Sequence, residues 1–216
     1  SSYFDRVCFS FPLASAIDAG CLVPYDYFPV PVNLTPEEEE SVASLSKRIA
    51  MLLSGQKTKG LSEDKQDRLE RAMLDRARII KQAEGKRPAL RRLIQGFRQE
   101  RRPNKKDLSH VLYYCPEGQH AEVLSLLAEE GVKAHEFIGT VGLSDRKRIL
   151  EQFAQGQIEA LVAMKCLDEG VDVPSTRTAF FIASTTNPRE FIQRRGRILR
   201  PSDDKTKAII YDFLVV

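Results

Sequence analysis

Five residues near the C-terminus, Gln193, Arg194, Gly196, Arg197 and Arg200, have the types and spacing to act on phosphate. Wound as a helix from Pro188 to Arg200, the side chains of Gln193, Arg197 and Arg200 fall at i, i+4 and i+7 and share one stripe, while Phe191, Ile192, Ile198 and Leu199 group on the opposite side. A helix buried by that apolar side aims two guanidinium groups outward together. Guanidinium is permanently charged and forks onto phosphate oxygens, so such a pair is suited to stabilising the charge that develops as a γ-phosphate is transferred. Two plainer roles stay open, pairing with surface carboxylates and holding nucleic acid alone. Arg195 breaks the pattern at the centre of the apolar side. Either its stem packs while its head reaches a carboxylate, or the helix is irregular there.

A second group of residues precedes the arginines. In DEGVDVP, Gly170 lets backbone approach a ligand, and Asp172 can orient a ribose hydroxyl or an arginine. The plainer alternative is a strand-to-helix turn with Asp172 as its cap. Asp168 and Glu169 are adjacent acids on a loop, and no metal is assigned to them. Ser184 to Asn187 form a polar turn that either transmits nucleotide state to the arginine helix or caps it. No GxxxxGK[ST] loop or DExx acid pair occurs, and GQKTKG at 55–60 has one Gly before a Lys between two helical stretches. No Ser/His/Asp arrangement, nuclease acid cluster or CxxC pair is found, and Cys8, Cys21, Cys115 and Cys166 lie far apart, which argues against a zinc ribbon or a disulfide framework.

The elements that must position these residues are legible from periodicity. After Leu108, short apolar runs alternate with helices, the signature of a parallel sheet with crossovers. The expected strands are 110–115, 134–138, 159–164, 178–184 and 207–213. Helices are expected at 118–130, at 145–155 with Ser144 as cap, and from Pro188 with Asn187 as cap. Upstream, residues 1–35 are rich in Pro and aromatics, and YDYFPVPVNL, interrupted by Pro24, Pro29 and Pro31, reads as an edge strand or connector. Thr35, Pro36 and Glu37 to Glu40 make a strong helix start, with helix to about Leu53, a second from Ser62 to Ala83 and a third from Ala89 to Gln99. Three regions follow: a connector at 1–35, a helical, basic extension at 36–107 and an α/β domain at 108–216.

The chain has 216 residues, 42% apolar and 29% charged, enough to bury a sizeable core and unlike a disordered tail. It lacks the long uncharged apolar run of a membrane-spanning helix and the basic start of a signal peptide, so a cytoplasmic or nuclear location is expected. It does not begin with Met, and a fragment of a longer protein is expected. The net charge of +3 hides an asymmetry, because Lys86 to Lys106 hold nine Lys or Arg and one acid. Arg91, Arg92, Arg98, Arg101 and Arg102, with Phe97 and aliphatics between them, suit a phosphate backbone, and a solvated helix face is the plainer alternative.

Taken in order, HVLYYC, GTVGLSDRKRILEQFAQGQIEALVAM, CLDEGVDVP and STTNPREFIQRRGRILRP resemble motifs IV, V and VI of the second, C-terminal RecA-like motor domain of a superfamily 2 DNA/RNA helicase. Gln193, Arg194, Gly196, Arg197 and Arg200 match the QRxGRxxR form of XPB-like helicases and restriction-enzyme motor subunits, whereas DEAD-box proteins begin that motif with His. The motifs cover about 108–216, and FSFPLASAIDAGCLVPYDYFPVPVNLTPEEE resembles the junction after the first motor domain of XPB-like proteins. The resemblance implies a three-layer RecA-like α/β domain with a mainly parallel sheet. It implies Arg197 and Arg200 as catalytic arginine fingers, and Gln193, Arg194, Gly170 and Asp172 on the ATP side. It places one nucleic-acid strand against Gly139, Thr140 and Lys165, with Met164 where the family often has Thr or Ser and Arg195 where it usually has an aliphatic residue.

That family hydrolyses ATP between two RecA-like domains, so the first domain would hold ATP and Mg2+ and this chain alone is expected to be inert. The implied partners are the first RecA-like domain of the same parent, DNA or RNA, and other subunits. The competing expectation is a non-catalytic nucleic-acid-binding or protein-interaction module of the same fold.

Overall fold

The computed structural model describes residues 12–54, 62–99, 109–164, 173, 175–184, 188–202 and 204–216. In chain order its elements are α1 (Leu13–Asp18), β1 (Tyr25–Val32), α2 (Pro36–Ser54), α3 (Glu63–Gln82), α4 (Lys86–Gln99), β2 (Val111–Tyr114), α5 (His120–Glu129), β3 (Ala134–Phe137), α6 (Leu143–Ala154), β4 (Ala160–Ala163), β5 (Thr178–Phe181), α7 (Pro188–Ile198) and β6 (Ala208–Val215). All six strands are parallel, in the order β1-β6-β5-β2-β4-β3. Every residue of β2, β4 and β5 is buried, as a parallel sheet covered on both faces demands.

Alternation along the strands builds two cores. Leu112, Tyr114, Leu161, Ala179, Phe181 and Ile210 meet Ile149 and Phe153 of α6 and Ile198 beside Leu199 at the end of α7. Val111, Tyr113, Val162, Phe180 and Phe213 meet Leu90 and Ile94 of α4 and Val123, Leu126 and Leu127 of α5. The segment expected as one helical extension is therefore physically two parts: α2 and α3 pack as a hairpin, while α4 is a layer of the sheet domain. On the α4 face four rings in register stack across four strands, Tyr113 on Phe180 at 4.8 Å, Phe180 on Tyr211 at 4.9 Å and Tyr211 on Phe28 at 5.2 Å. Phe97 of α4 meets Phe180 and Tyr211 edge-on.

β1 is an edge strand despite two prolines, and its register explains how. The Pro24 and Val32 carbonyls accept the Ala208 and Val216 N–H groups, so even-numbered positions face β6. Pro29 and Pro31 then face away from the ladder, where a missing N–H removes no bond and blunts the open edge. Thr35 and Glu38 cap α2 reciprocally: the Glu38 N–H donates to Thr35 Oγ1 at 3.3 Å and the Thr35 N–H to Glu38 Oε2 at 3.0 Å. The other Glu38 oxygen accepts the Glu84 N–H at 3.0 Å, tying this start to the turn before α4. Gly85 in that turn is obligatory, because a Cβ there would stand 2.6 Å from the Asn33 carbonyl oxygen.

Two helices start earlier than the sequence expectation. α4 begins at Lys86, because Pro88 falls in the first turn, where its missing N–H has no intrahelical partner to lose. α6 begins at Leu143 with Gly142 as N-cap, and Ser144 lies inside the first turn and caps nothing.

Lys86 is 2% exposed and donates to the Ile182 carbonyl at 2.8 Å and the Lys81 carbonyl at 3.2 Å, stapling the ends of β5 and α3. Burial pushes its ammonium down to about 8, against the pull of Asp212 and Glu38. Between pH 8 and 10 the unfolded chain holds this proton more tightly, so stability rises with pH by on the order of 2–3 kcal/mol. Tyr27 and Tyr113, both raised by burial, oppose this only above about pH 10. Urea denaturation at pH 8 and pH 10 is expected to show the rise, and Lys86→Met to abolish it.

Candidate nucleotide-facing and nucleic-acid-facing site

In a parallel α/β sheet, ligands gather outside the carboxyl ends of the strands. The carboxyl ends of β2, β3, β4 and β5 all lie on that side, and β5 is followed in the chain by α7, which carries most of the arginine motif. Two of its arginines turn inward. Arg194 is 8% exposed, lies over the Tyr114 ring at 4.0 Å, and donates to the Ala183 carbonyl at 3.0 Å and to Glu190 at 3.3 Å. It therefore binds α7 to the ends of β2 and β5.

Arg195 is 7% exposed and α7 is regular around it. Its guanidinium lies 3.5 Å from the Phe191 ring centre and 4.5 Å from that of Tyr27, and it donates to the Tyr25 hydroxyl at 3.0 Å. The stem packs as expected, but the head enters an aromatic cage and not a carboxylate; cation–π contact offsets its desolvation. A carboxylate stands one group further on, because the Tyr27 hydroxyl donates to the buried Asp212 at 2.9 Å. Burial, the hydrogen bond to Asp212 and that negative charge push the Tyr27 phenol up to about 12. The site thus rests on a cross-strand network that joins α7 to β1 and β6.

With Arg194 and Arg195 turned inward, Gln193 and Arg200 are exposed and Arg197 is half-buried. Winding the helix on to Arg200 was an overextension: α7 stops at Ile198. Pro201 disfavours helical backbone at the residue before it, so Arg200 stands beyond the helix end. Ile192, grouped by sequence with the apolar side, is 55% exposed, because α7 buries a narrower stripe than the helical wheel drew. Gly170, Asp172, Lys165, Asp168, Glu169 and residues 185–187 lie outside the described residues.

Gly139 and Thr140 are exposed on the loop after β3. Arg146 holds that loop: its guanidinium donates to the Gly139 and Val141 carbonyls, both at 2.9 Å, and to that of Ile138 at 3.4 Å, and lies 5.9 Å from the Phe137 ring centre. Sequence reasoning missed Arg146. The available signal was a lone arginine in the first turn of the helix that follows a Gly-Thr loop. Met164 is half-buried against the α4-side core.

The basic run divides when seen in space. Arg91 pairs with Glu129 and lies 3.5 Å from Glu130, and Arg87 pairs with Glu122 at 3.1 Å, all acids of α5 or its C-cap. Arg92 is exposed, and Arg98 is exposed with its guanidinium against the Gly131 turn. Arg101 and Arg102 lie outside the described residues. A charge-balanced cleft of about 820 Å3 between the hairpin and α4–α5 is lined by Glu38, Glu84, Glu122, Arg87, Arg91 and Arg92. A groove of about 330 Å3 abuts α7 itself, lined by Arg78 and Lys81 of α3 with Tyr114, Cys115 and Arg194. Among the described residues, no three His, Cys, Asp or Glu converge as metal ligands, and no helix is long and apolar enough to cross a membrane.

A DNA 3'-5' translocase XPB2 of Sulfurisphaera tokodaii is 26% identical over 191 residues, 82% of this chain and 40% of its own length. A DNA 3'-5' helicase XPB of Kineococcus radiotolerans is 32% identical over 95 residues, 44% of this chain and 17% of that one. The chain thus spans less than half the length of either relative. The Sulfolobus solfataricus SWI2/SNF2 ATPase core in complex with dsDNA is similar in fold, with a TM-score of 0.62 at 14% identity, covering 89% of this chain and 41% of that one. The C-terminal domain of the S. solfataricus SWI2/SNF2 ATPase gives 0.59 at 12% identity, covering 89% and 80%. The family described as helicase conserved C-terminal domain matches residues 85–202, from the turn before α4 through the arginine helix. With a parallel sheet between two helical layers and the arginine motif on its last crossover helix, the chain belongs to that family, as the second RecA-like domain of a superfamily 2 helicase.

Proposed function

We propose that this chain is the C-terminal motor domain of an ATP-dependent superfamily 2 DNA helicase or translocase, supplying Arg197 and Arg200 as arginine fingers to a nucleotide held by a first RecA-like domain of the same parent. The observation that carries this reading is the division of labour around α7: Arg194 and Arg195 are buried and anchor the helix inward, while Arg197 is half-buried and Arg200 exposed around its C-terminal end. An anchored base under the arginines that follow is what stabilising charge on a transferring phosphoryl group requires, since the donors must be in place before that charge develops.

Gln193, Gly170 and Asp172 complete this domain's share of the nucleotide pocket, and Arg194 contributes by holding the helix that carries it. The Mg2+ that accompanies ATP and neutralises phosphate charge is held mainly by the first domain. ATP draws the two domains together until Arg197 and Arg200 reach the γ-phosphate, and hydrolysis releases them. Gly139 and Thr140, on the loop held by Arg146, and Lys165 line the path of one strand. Alternating grip then moves the nucleic acid. The isolated chain is inert, and the test is ATP turnover by the full-length parent with Arg197 replaced.

Arg92, Arg98, Arg101 and Arg102 extend the grip along the phosphate backbone. Every phosphate that a variant no longer neutralises reduces the slope of log affinity against log salt by about 0.9 for duplex DNA. Replacing these four with Ala in the parent is expected to weaken binding across sequences and flatten the slope by up to about 3.6. Arg91→Ala changes it less, because that guanidinium is already neutralised by Glu129 and Glu130. An unchanged slope for the fourfold variant sinks the grip.

A further inference from the structure

We propose that Lys205 is a positioning residue for the two arginine fingers; this rests on the finger reading above and adds the group that fixes the backbone from which both arginines arise. A helix leaves its last carbonyls without intrahelical partners. At the end of α7 three consecutive carbonyls are met from outside the helix. Lys205 Nζ donates to the carbonyl of Ile198 and, at 3.0 Å, to that of Arg200, and the Val23 N–H donates to that of Leu199 at 2.8 Å. The bridged stretch starts directly after Arg197 and ends on Arg200 itself.

Lys205 is 6% exposed, and a lysine is almost never so deeply buried unless its charge is answered. Its ammonium sits at the negative end of a helix, where carbonyl dipoles favour a cation. The chain is shaped to deliver it. Pro201 turns the backbone out of α7, the Lys205 N–H closes a turn on the Ser202 carbonyl at 3.0 Å, and Asp204 adopts φ +62°, a left-handed conformation that Asp tolerates better than most residues. The ammonium thereby spans the point where the helical backbone of Arg197 gives way to the non-helical backbone of Arg200. It sets the relative placement of two side chains that must act on one phosphate. It ties the Arg200 carbonyl to the helix end.

The test compares Lys205→Met, which keeps the buried stem and removes the charge, with Lys205→Arg, Arg197→Ala and Arg200→Ala, all in the full-length parent. Misplacing a catalytic group by about 1 Å reduces rate by up to about 100-fold, so Lys205→Met is expected to lower kcat at least about tenfold. Its KM for ATP stays within about threefold, because fingers act on the transition state and not on ground-state binding. Trapping with ADP and aluminium fluoride is weakened in parallel, and Lys205→Arg, which keeps a cation at the helix end, recovers part of the loss. If Lys205→Met fails to fold, Lys205→Gln, an uncharged donor, takes its place with the same expectations. A Lys205→Met or Lys205→Gln variant that folds and retains kcat within about threefold while Arg197→Ala loses it overturns this inference alone. Retention of turnover by Arg197→Ala and Arg200→Ala overturns the finger reading beneath it.

Discussion

Arg197→Ala in the full-length parent is expected to lower DNA-stimulated ATP turnover at least about 100-fold while ATP still binds; fingers of this kind are worth about 10³ to 10⁵ in rate where they have been measured. The lower bound is set because Arg200 remains, and residues that act as a unit do not contribute additively. Folding is not the confounder, because Ala is the best helix former and α7 is held to the sheet by Arg194, Arg195 and the Val23 N–H. Arg197→Lys rescues little, since an ammonium has no planar fork for two phosphate oxygens. Steady-state turnover with and without DNA, beside nucleotide binding by the same preparation, makes the measurement. Near-normal turnover with normal binding defeats the catalytic assignment and leaves a nucleic-acid-binding module.

Phe180→Ala has the largest expected effect on stability. Phe180 is fully buried on β5, stacked between Tyr113 and Tyr211 and met edge-on by Phe97. Truncating a buried phenylalanine destabilises by about 3–5 kcal/mol through forfeited transfer energy and the remaining cavity. The effect belongs at the upper end, because the stacked pairs contribute about 0.5–1.5 kcal/mol beyond their buried area. For a domain of this size that is roughly a 10 °C fall in Tm. Phe180→Leu, which fills most of the space, costs less than about half as much. Thermal unfolding monitored by circular dichroism decides it: a destabilisation below about 1 kcal/mol for Phe180→Ala would mean the rings do not act as one packed unit.

Element existence was legible where burial imposes a pattern. Strands such as Val111–Tyr114 and Thr178–Phe181 are covered on both faces, so they appear as short unbroken apolar runs, and each lies inside its expected range. The start of α2 was legible because Thr35, Pro36 and Glu38 satisfy orphan donors locally. Local chemistry was misleading where two signals competed. Ser144 carried the cap signal, but Gly142 provides the start of α6, and Pro88 suggested an interruption where the first turn of α4 tolerates it. Pro201 already marked the end of α7, yet the regular spacing of the arginines drew the helix two residues too far.

The candidate site was legible as a set of residues and not as an arrangement. Gln193, Arg194, Gly196, Arg197 and Arg200 identify the motif by type and spacing alone. Nothing in the spacing showed that Tyr25 and Tyr27, some 170 residues away, form the cage for Arg195. Nor did it show that acids of α5 neutralise Arg91, or that Arg146 holds the Gly139 loop.

By itself the sequence determined a parallel α/β domain, its family and the arginines of its motif, because periodicity and motif spacing are properties of neighbouring residues. Only the tertiary structure decided which arginines face inward, which basic residues are already paired, and that Lys86 and Lys205 are buried staples and not surface charges. A charged side chain takes its role from the groups brought against it, and in a six-stranded parallel sheet those groups come from distant crossovers.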